Sequence, residues 1–151
     1  MIKNVFDPQD VDELISRIQR LNPTTKPQWG TMNVAQMLAH CCVIYDLYYE
    51  NKHPKPNFIV KFLLKIIVKN GVVSEKPYKK NSPTASVFKV SSDQDFEVEK
   101  QRLIDYLNRT CKLGEQHFHL REYHSFGKLT GREWNIMFYK HLDHHLAQFG
   151  V

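Results

Sequence analysis

This 151-residue sequence lacks several common sources of rigidity and chemistry. Its three cysteines, Cys41, Cys42 and Cys111, are an odd count without a repeated spacing, which argues against a secreted disulfide framework. The opening stretch MIKNVFDPQDVDEL has no apolar signal region, and the cytoplasm is the expected compartment. A P-loop, a Gly-rich dinucleotide motif and a Ser-His-Asp arrangement are all missing. Internal repeats and low-complexity segments are missing too. The net charge of +5 and pI near 9.1 are mildly basic. The lysines and arginines read as scattered, whereas a nucleic-acid footprint is clustered, so no nucleic-acid partner is expected. The charge reads as solubility, with a modest bias toward anionic small molecules or surfaces. A chain of this length forms one domain, residues 1–151, and buries enough surface to fold without a disulfide or structural metal.

What the sequence does contain is helical patterning with strong start signals. Asp7 caps a first helix from Pro8 to Leu21, with Phe6 and Val11 as a hydrophobic staple. After a Pro- and Gly-containing loop with a Trp29-Gly30 pair, read as packing over the end of the fold, Asn33 and Gln36 form a capping box for VAQMLAHCCVIYDLYYE. A third helix spans Phe58 to Lys69, ending before Asn70-Gly71. It is apolar nearly all round except for Lys61, Lys65 and Lys69. At about 12 residues it falls far short of the roughly 20 that span a bilayer. The expected role is a buried helix with one solvated lysine edge; the alternative is an interfacial membrane anchor. Residues 71–91 look irregular, with Val87, Phe88 and Val90 as a short extended piece. Ser92 is the expected cap of a fourth helix that closes at Leu113-Gly114. Residues 115–129 read as a connection holding His117, His119 and His124; the His117-x-His119 pair could meet a metal if extended, but in a polar loop the expectation is solvated histidines. The last helix, Thr130 to Gly150, has a capping box of Thr130 and Glu133 and a Leu129–Trp134 staple. The expectation is an all-α four-helix bundle with a crossover connection and one extra short apolar helix.

The last helix carries the chemistry. At about 100° per residue, Trp134, Phe138, His141, His145 and Phe149 fall within about 80° of one another, the width of a core-facing stripe. Two imidazoles thus sit one turn apart on a face that should be buried, which calls for a hydrogen-bonded polar core or a metal. His40 lies on the apolar side of the second helix and supplies a third ring. Three protein ligands leave a position for water or substrate, and nitrogen donors suit zinc, nickel, copper or iron. His144 falls at the edge of the stripe, and Asp143 points to solvent. Cys41 and Cys42 are expected to pack as small hydrophobes. No carboxylate falls on the stripe, so no general base is nominated. Free imidazoles as ligands predict metal release below roughly pH 6.

The segments WGTMNVAQMLAH and FGKLTGREWNIMFYKHLDHHLAQFG resemble the DinB/YfiT-like superfamily, in an uncharacterised domain-of-unknown-function branch. The resemblance covers about residues 7–150 and is strongest at these two motifs. It implies a four-helix bundle with a crossover and a divalent metal held by one His from the second helix and a His-x-x-x-His pair on the last, here His40, His141 and His145. Relatives include thiol-dependent transferases and isomerases and metal-dependent hydrolases, and many are dimers. The implied protein is a metal-dependent enzyme acting on a small-molecule substrate, with a low-molecular-weight thiol as partner, and a homodimer. The competing expectation is a non-catalytic dimeric interaction or membrane-surface module with a polar histidine core. A membrane-surface partner is not the favoured expectation.

Overall fold

Side-chain caps start the long helices. Asp7 accepts from the amides of Gln9 and Asp10 to begin α1, Pro8–Gln19. Asn33 and Gln36 close a capping box on α2, Val34–Tyr49, and Thr130 and Glu133 close another on α6, Gly131–Gln148. Each satisfies amides that would otherwise lack an intrahelical partner. The computed structural model describes residues 2–50 and 56–151. In these, the fold is mostly helical: α3, Phe58–Leu63, runs through a π turn, Leu64–Val68, into α4, Lys69–Val73, and α5 covers Phe96–Phe118. A 3-10 turn occupies Ser86–Phe88. A two-stranded antiparallel sheet pairs β1, Arg121–Tyr123, with β2, Gly127–Leu129.

The four long helices α1, α2, α5 and α6 pack on one another around an aromatic core. Tyr45 of α2 stacks on Phe138 of α6 at 4.7 Å and on Tyr106 of α5 at 5.3 Å. Trp134 meets Tyr48, Phe118, Tyr123 and Phe138. These contacts fix the rotation of α6 about its axis, so His141 and His145, farther along the same stripe, turn inward beside α2. A buried ionic network backs α2 against α5. Arg102 donates to both oxygens of Glu99 and pairs with Asp46, which also accepts from the Tyr106 hydroxyl at 2.6 Å.

Several elements depart from the sequence expectation. Asp95, not Ser92, caps α5. Gly114 takes φ +73° and breaks the helix where expected, but the chain re-enters helix for a further turn. That turn buries Phe118 against Phe6, Tyr48 and Trp134, which is the gain that offsets resuming the helix. The connection at 115–129 contains the β hairpin, whose Tyr123, Phe126 and Leu129 are buried. Val87 and Phe88 lie in the 3-10 turn and not in an extended piece. The apolar helix does not stop before Gly71.

The largest correction concerns that helix's orientation. It is not buried, and of its three edge lysines only Lys65 is exposed to solvent. Lys61 pairs with Glu122 and Lys69 with Glu133 at 2.8 Å, so these two lysines face the body of the protein. Lys140 of α6 donates to the carbonyls of Gly71 at 2.8 Å and of Ser74, at the C-terminal end where a cation meets the helix dipole. In a straight α-helix Lys61 and Lys69 would point about 80° apart. The wider π turn between them absorbs that offset and aligns both with their carboxylates.

Trp134 is fully buried at the junction of these aromatic contacts. Trp134→Ala is expected to lower the unfolding free energy in urea by about 3–5 kcal/mol. A loss below about 1 kcal/mol would contradict the packing described.

Candidate metal centre

His40 and His141 meet across the α2–α6 interface, their Nε2 atoms 3.0 Å apart. His145 completes a triangle: its ring centroid lies 4.5 Å from that of His40 and 4.9 Å from that of His141. One ring nitrogen from each of the three lies within 4.8 Å of the others. His40 and His145 are 3% and 8% exposed. His141 is intermediate in exposure as a residue, yet its imidazole packs between His40, His145 and Phe88. The structure therefore brings together all three residues nominated from the sequence.

Hydrogen bonds set the tautomers of two rings. Nδ1–H of His40 donates to the carbonyl of Phe88 at 2.7 Å, since a carbonyl can only accept. The Nε2 lone pair of His40 is left facing His141. Nδ1–H of His145 donates to Gln148 Oε1 at 2.8 Å, and Gln148 Nε2 donates to the Trp29 carbonyl at 2.6 Å. The Trp29 carbonyl fixes which way the Gln148 amide points, and so which proton His145 carries. Such outer hydrogen bonds are the usual means of orienting a metal-ligating imidazole. Gly30 makes this contact available. It sits at φ +83°, and a Cβ there would come within 2.6 Å of Gln148 Nε2. The Trp29-Gly30 pair thus supports the site, beyond the packing role expected of it.

The electrostatics favour neutral rings. Burial, reinforced by the neighbouring imidazoles, holds His141 well below the usual histidine range. Burial pushes His145 down to about 3 and lowers His40, against the raising effect of the Phe88 carbonyl. Neutral imidazole is the form that ligates a metal. Two Nε2 atoms 3.0 Å apart must share either a proton or a cation. Tetrahedral zinc with bonds of about 2.0–2.1 Å places its ligand nitrogens about 3.3–3.4 Å apart, so the His40–His141 spacing needs little adjustment, and His145 lies within 4.8 Å of both. The donor set fits a nitrogen-loving divalent metal.

The surroundings differ in part from expectation. His144 lies at the edge of the cluster, with Trp29 and Tyr78 set edge-on to it at 5.7 Å each. Asp143 pairs with Arg17 at 2.7 Å, so it is not simply solvated. His117 accepts or donates a hydrogen bond with the Tyr48 hydroxyl at 3.0 Å, and His119 receives the amide of Gly131 at 3.3 Å. Neither joins the cluster. Cys41 and Cys42 are buried and free, and desolvation pushes both thiols up, so they pack as hydrophobes as expected. The cluster is covered by Phe88, whose ring lies 5.6 Å from His40 and 5.8 Å from His141. A depression of about 290 Å³ opens beside Phe88, lined by Ala39, Val43, Val87 and Lys89 among others. A larger one, about 490 Å³, is lined by Tyr48, Arg109, His117 and Arg121 and contains none of the three histidines.

A domain family described as a protein of unknown function, DUF1569, matches residues 3–150. The chain belongs to this DUF1569 family. No curated protein and no solved structure matches it.

Histidines that fold as neutral rings make stability pH-dependent. Their folded pKa values lie below the unfolded value near 6.5, so protons bind the unfolded chain first. Their stabilising effect is complete above about pH 6.5 and is lost as pH falls toward the folded values, about 3 for His145. Urea unfolding of chelator-treated protein from pH 7 to pH 4 should show falling stability, with a shallower fall in His145→Gln. Identical slopes in the two proteins would contradict the assignment.

Proposed function

We propose that the chain binds a divalent transition metal through His40, His141 and His145 and acts as a metal-dependent enzyme on a small molecule. The observation that carries this reading is the convergence of three imidazoles, those of His40 and His145 on buried residues with Nδ1–H tied to an outer acceptor. The resemblance to the DinB/YfiT-like superfamily supports it, with α1, α2, α5 and α6 read as its four-helix bundle and the segment between α2 and α5 as its crossover. Zinc, nickel and iron all suit three nitrogen donors. The unpaired cysteines accord with a reducing, cytoplasmic setting.

A bound cation would supply Lewis acidity to a substrate. The chain's own part is to position and to exclude. His40 and His145 present fixed lone pairs, while Phe88 and the rings around His144 keep bulk water from the cluster. Among the described residues the cluster contains no carboxylate, so the chain offers no general base there. Cys41 and Cys42 are too deeply buried to serve as nucleophiles. A thiol-dependent transfer would therefore take its sulfur from a low-molecular-weight thiol, and hydrolysis would take water. The competing reading, a hydrogen-bonded histidine core without metal, draws on the His40–His141 bond itself.

Metal analysis of protein purified without a nickel column separates the two. About one divalent metal per chain is expected in wild type, with loss in His141→Ala. Gln148→Leu and Gly30→Ala should weaken binding about 10–100-fold by releasing His145. Because burial already keeps the rings unprotonated, release on acidification should begin below the roughly pH 6 expected of free imidazoles. Equal, substoichiometric metal in wild type and His141→Ala would overturn the proposal.

A further inference from the structure

The helical segment 58–73 turns Lys61 and Lys69 inward and its apolar side outward. Phe58 is 81% exposed and Ile67 70%, and Ile59, Phe62, Leu63 and Ile66 are exposed with them. A contiguous apolar surface of this kind marks an interaction site on an otherwise ordinary soluble surface. The face is built and not accidental. Two ion pairs and the Lys140 clamp hold the opposite side, and the π turn keeps both ion pairs in register.

Charge identifies the occupant. Residues 56–92 contain seven lysines, at 61, 65, 69, 76, 79, 80 and 89, and one acid, Glu75, a net of +6. The whole chain carries +5, so everything outside this segment sums to −1. The lysines are therefore not scattered: the positive excess lies in residues 56–92, in the apolar helix and the stretch that directly follows it. Lys65, Lys76, Lys79, Lys80 and Lys89 are exposed. A second copy of the chain would bring two such segments together and meet like-charge repulsion. An anionic bilayer surface satisfies both the apolar face and the lysines. The 16 residues from Phe58 to Val73 span about 24 Å as helix, and no described helix is long and apolar enough to cross a membrane.

We infer that segment 58–73 docks the protein on anionic lipid membranes, lying in the plane of the interface with Phe58, Phe62, Ile66 and Ile67 inserted and the neighbouring lysines on lipid headgroups. The segment leads directly into residues 74–92, which carry Phe88 over the histidine cluster and Tyr78 against His144 at its edge, so docking sets that cluster near the membrane surface.

Co-sedimentation of the full chain with vesicles tests this independently of metal. Binding is expected to vesicles of phosphatidylcholine with phosphatidylserine, to be much weaker with phosphatidylcholine alone, and to fall with added salt. Ile66→Ser with Ile67→Ser should weaken binding by about tenfold or more. Lys79→Gln and Lys80→Gln should each weaken it about fivefold while leaving the apolar face intact. Circular dichroism establishes that each variant is folded. Absence of binding by folded wild-type protein would overturn the inference. So would a concentration-dependent dimer that Ile66→Ser with Ile67→Ser dissociates, since a second copy would then own the face.

Discussion

The carbonyl of Phe88 accepts a hydrogen bond from Nδ1–H of His40, and that one hydrogen bond decides what the other ring nitrogen can do. With Nδ1 committed, Nε2 must present a lone pair to His141 across the interface. The same logic runs through His145, Gln148 and the Trp29 carbonyl. The Phe88 carbonyl comes from the turn between α4 and α5, and Gln148, the acceptor on α6, is itself held by the Trp29 carbonyl from the loop before α2. The loops thus specify the protonation state of residues that the helices merely bring together. Burial completes the arrangement by disfavouring the imidazolium form, so the cluster is kept as a set of lone pairs at neutral pH.

Much of this was legible from periodicity. Trp134, Phe138, His145 and Phe149 are buried as the 100° spacing requires, and both capping boxes form at the residues that announce them. His40, His141 and His145 converge because their helices face one another. The outer partners were less accessible. Gln148 lies three residues after His145 on the same helix, and that spacing could have identified it. The Phe88 carbonyl could not be identified this way, because a backbone acceptor 48 residues from His40 leaves no mark on side-chain patterning.

The apolar helix shows why composition alone misleads about orientation. A run of large hydrophobic residues with a lysine every fourth position reads as a buried helix with a wet edge. Here Glu122 and Glu133 reverse that reading, since their carboxylates draw Lys61 and Lys69 toward the protein and turn the hydrophobic residues outward. Glu133 does this while also capping α6, so one side chain fixes both the start of the helix that carries His141 and His145 and the attachment of the exposed one. Lys140, adjacent to His141 in sequence, adds a second tie between them. The exposed helix and the histidine cluster are therefore anchored to the same element.

Anomalous diffraction at the absorption edge of the metal carried by purified protein tests the central claim most directly. The account predicts a single strong peak within bonding distance of a ring nitrogen of each of His40, His141 and His145, with the His40–Phe88 and His145–Gln148 hydrogen bonds retained. A map with no peak among these rings, and His40 and His141 still joined Nε2 to Nε2 in metal-supplemented crystals, would contradict it.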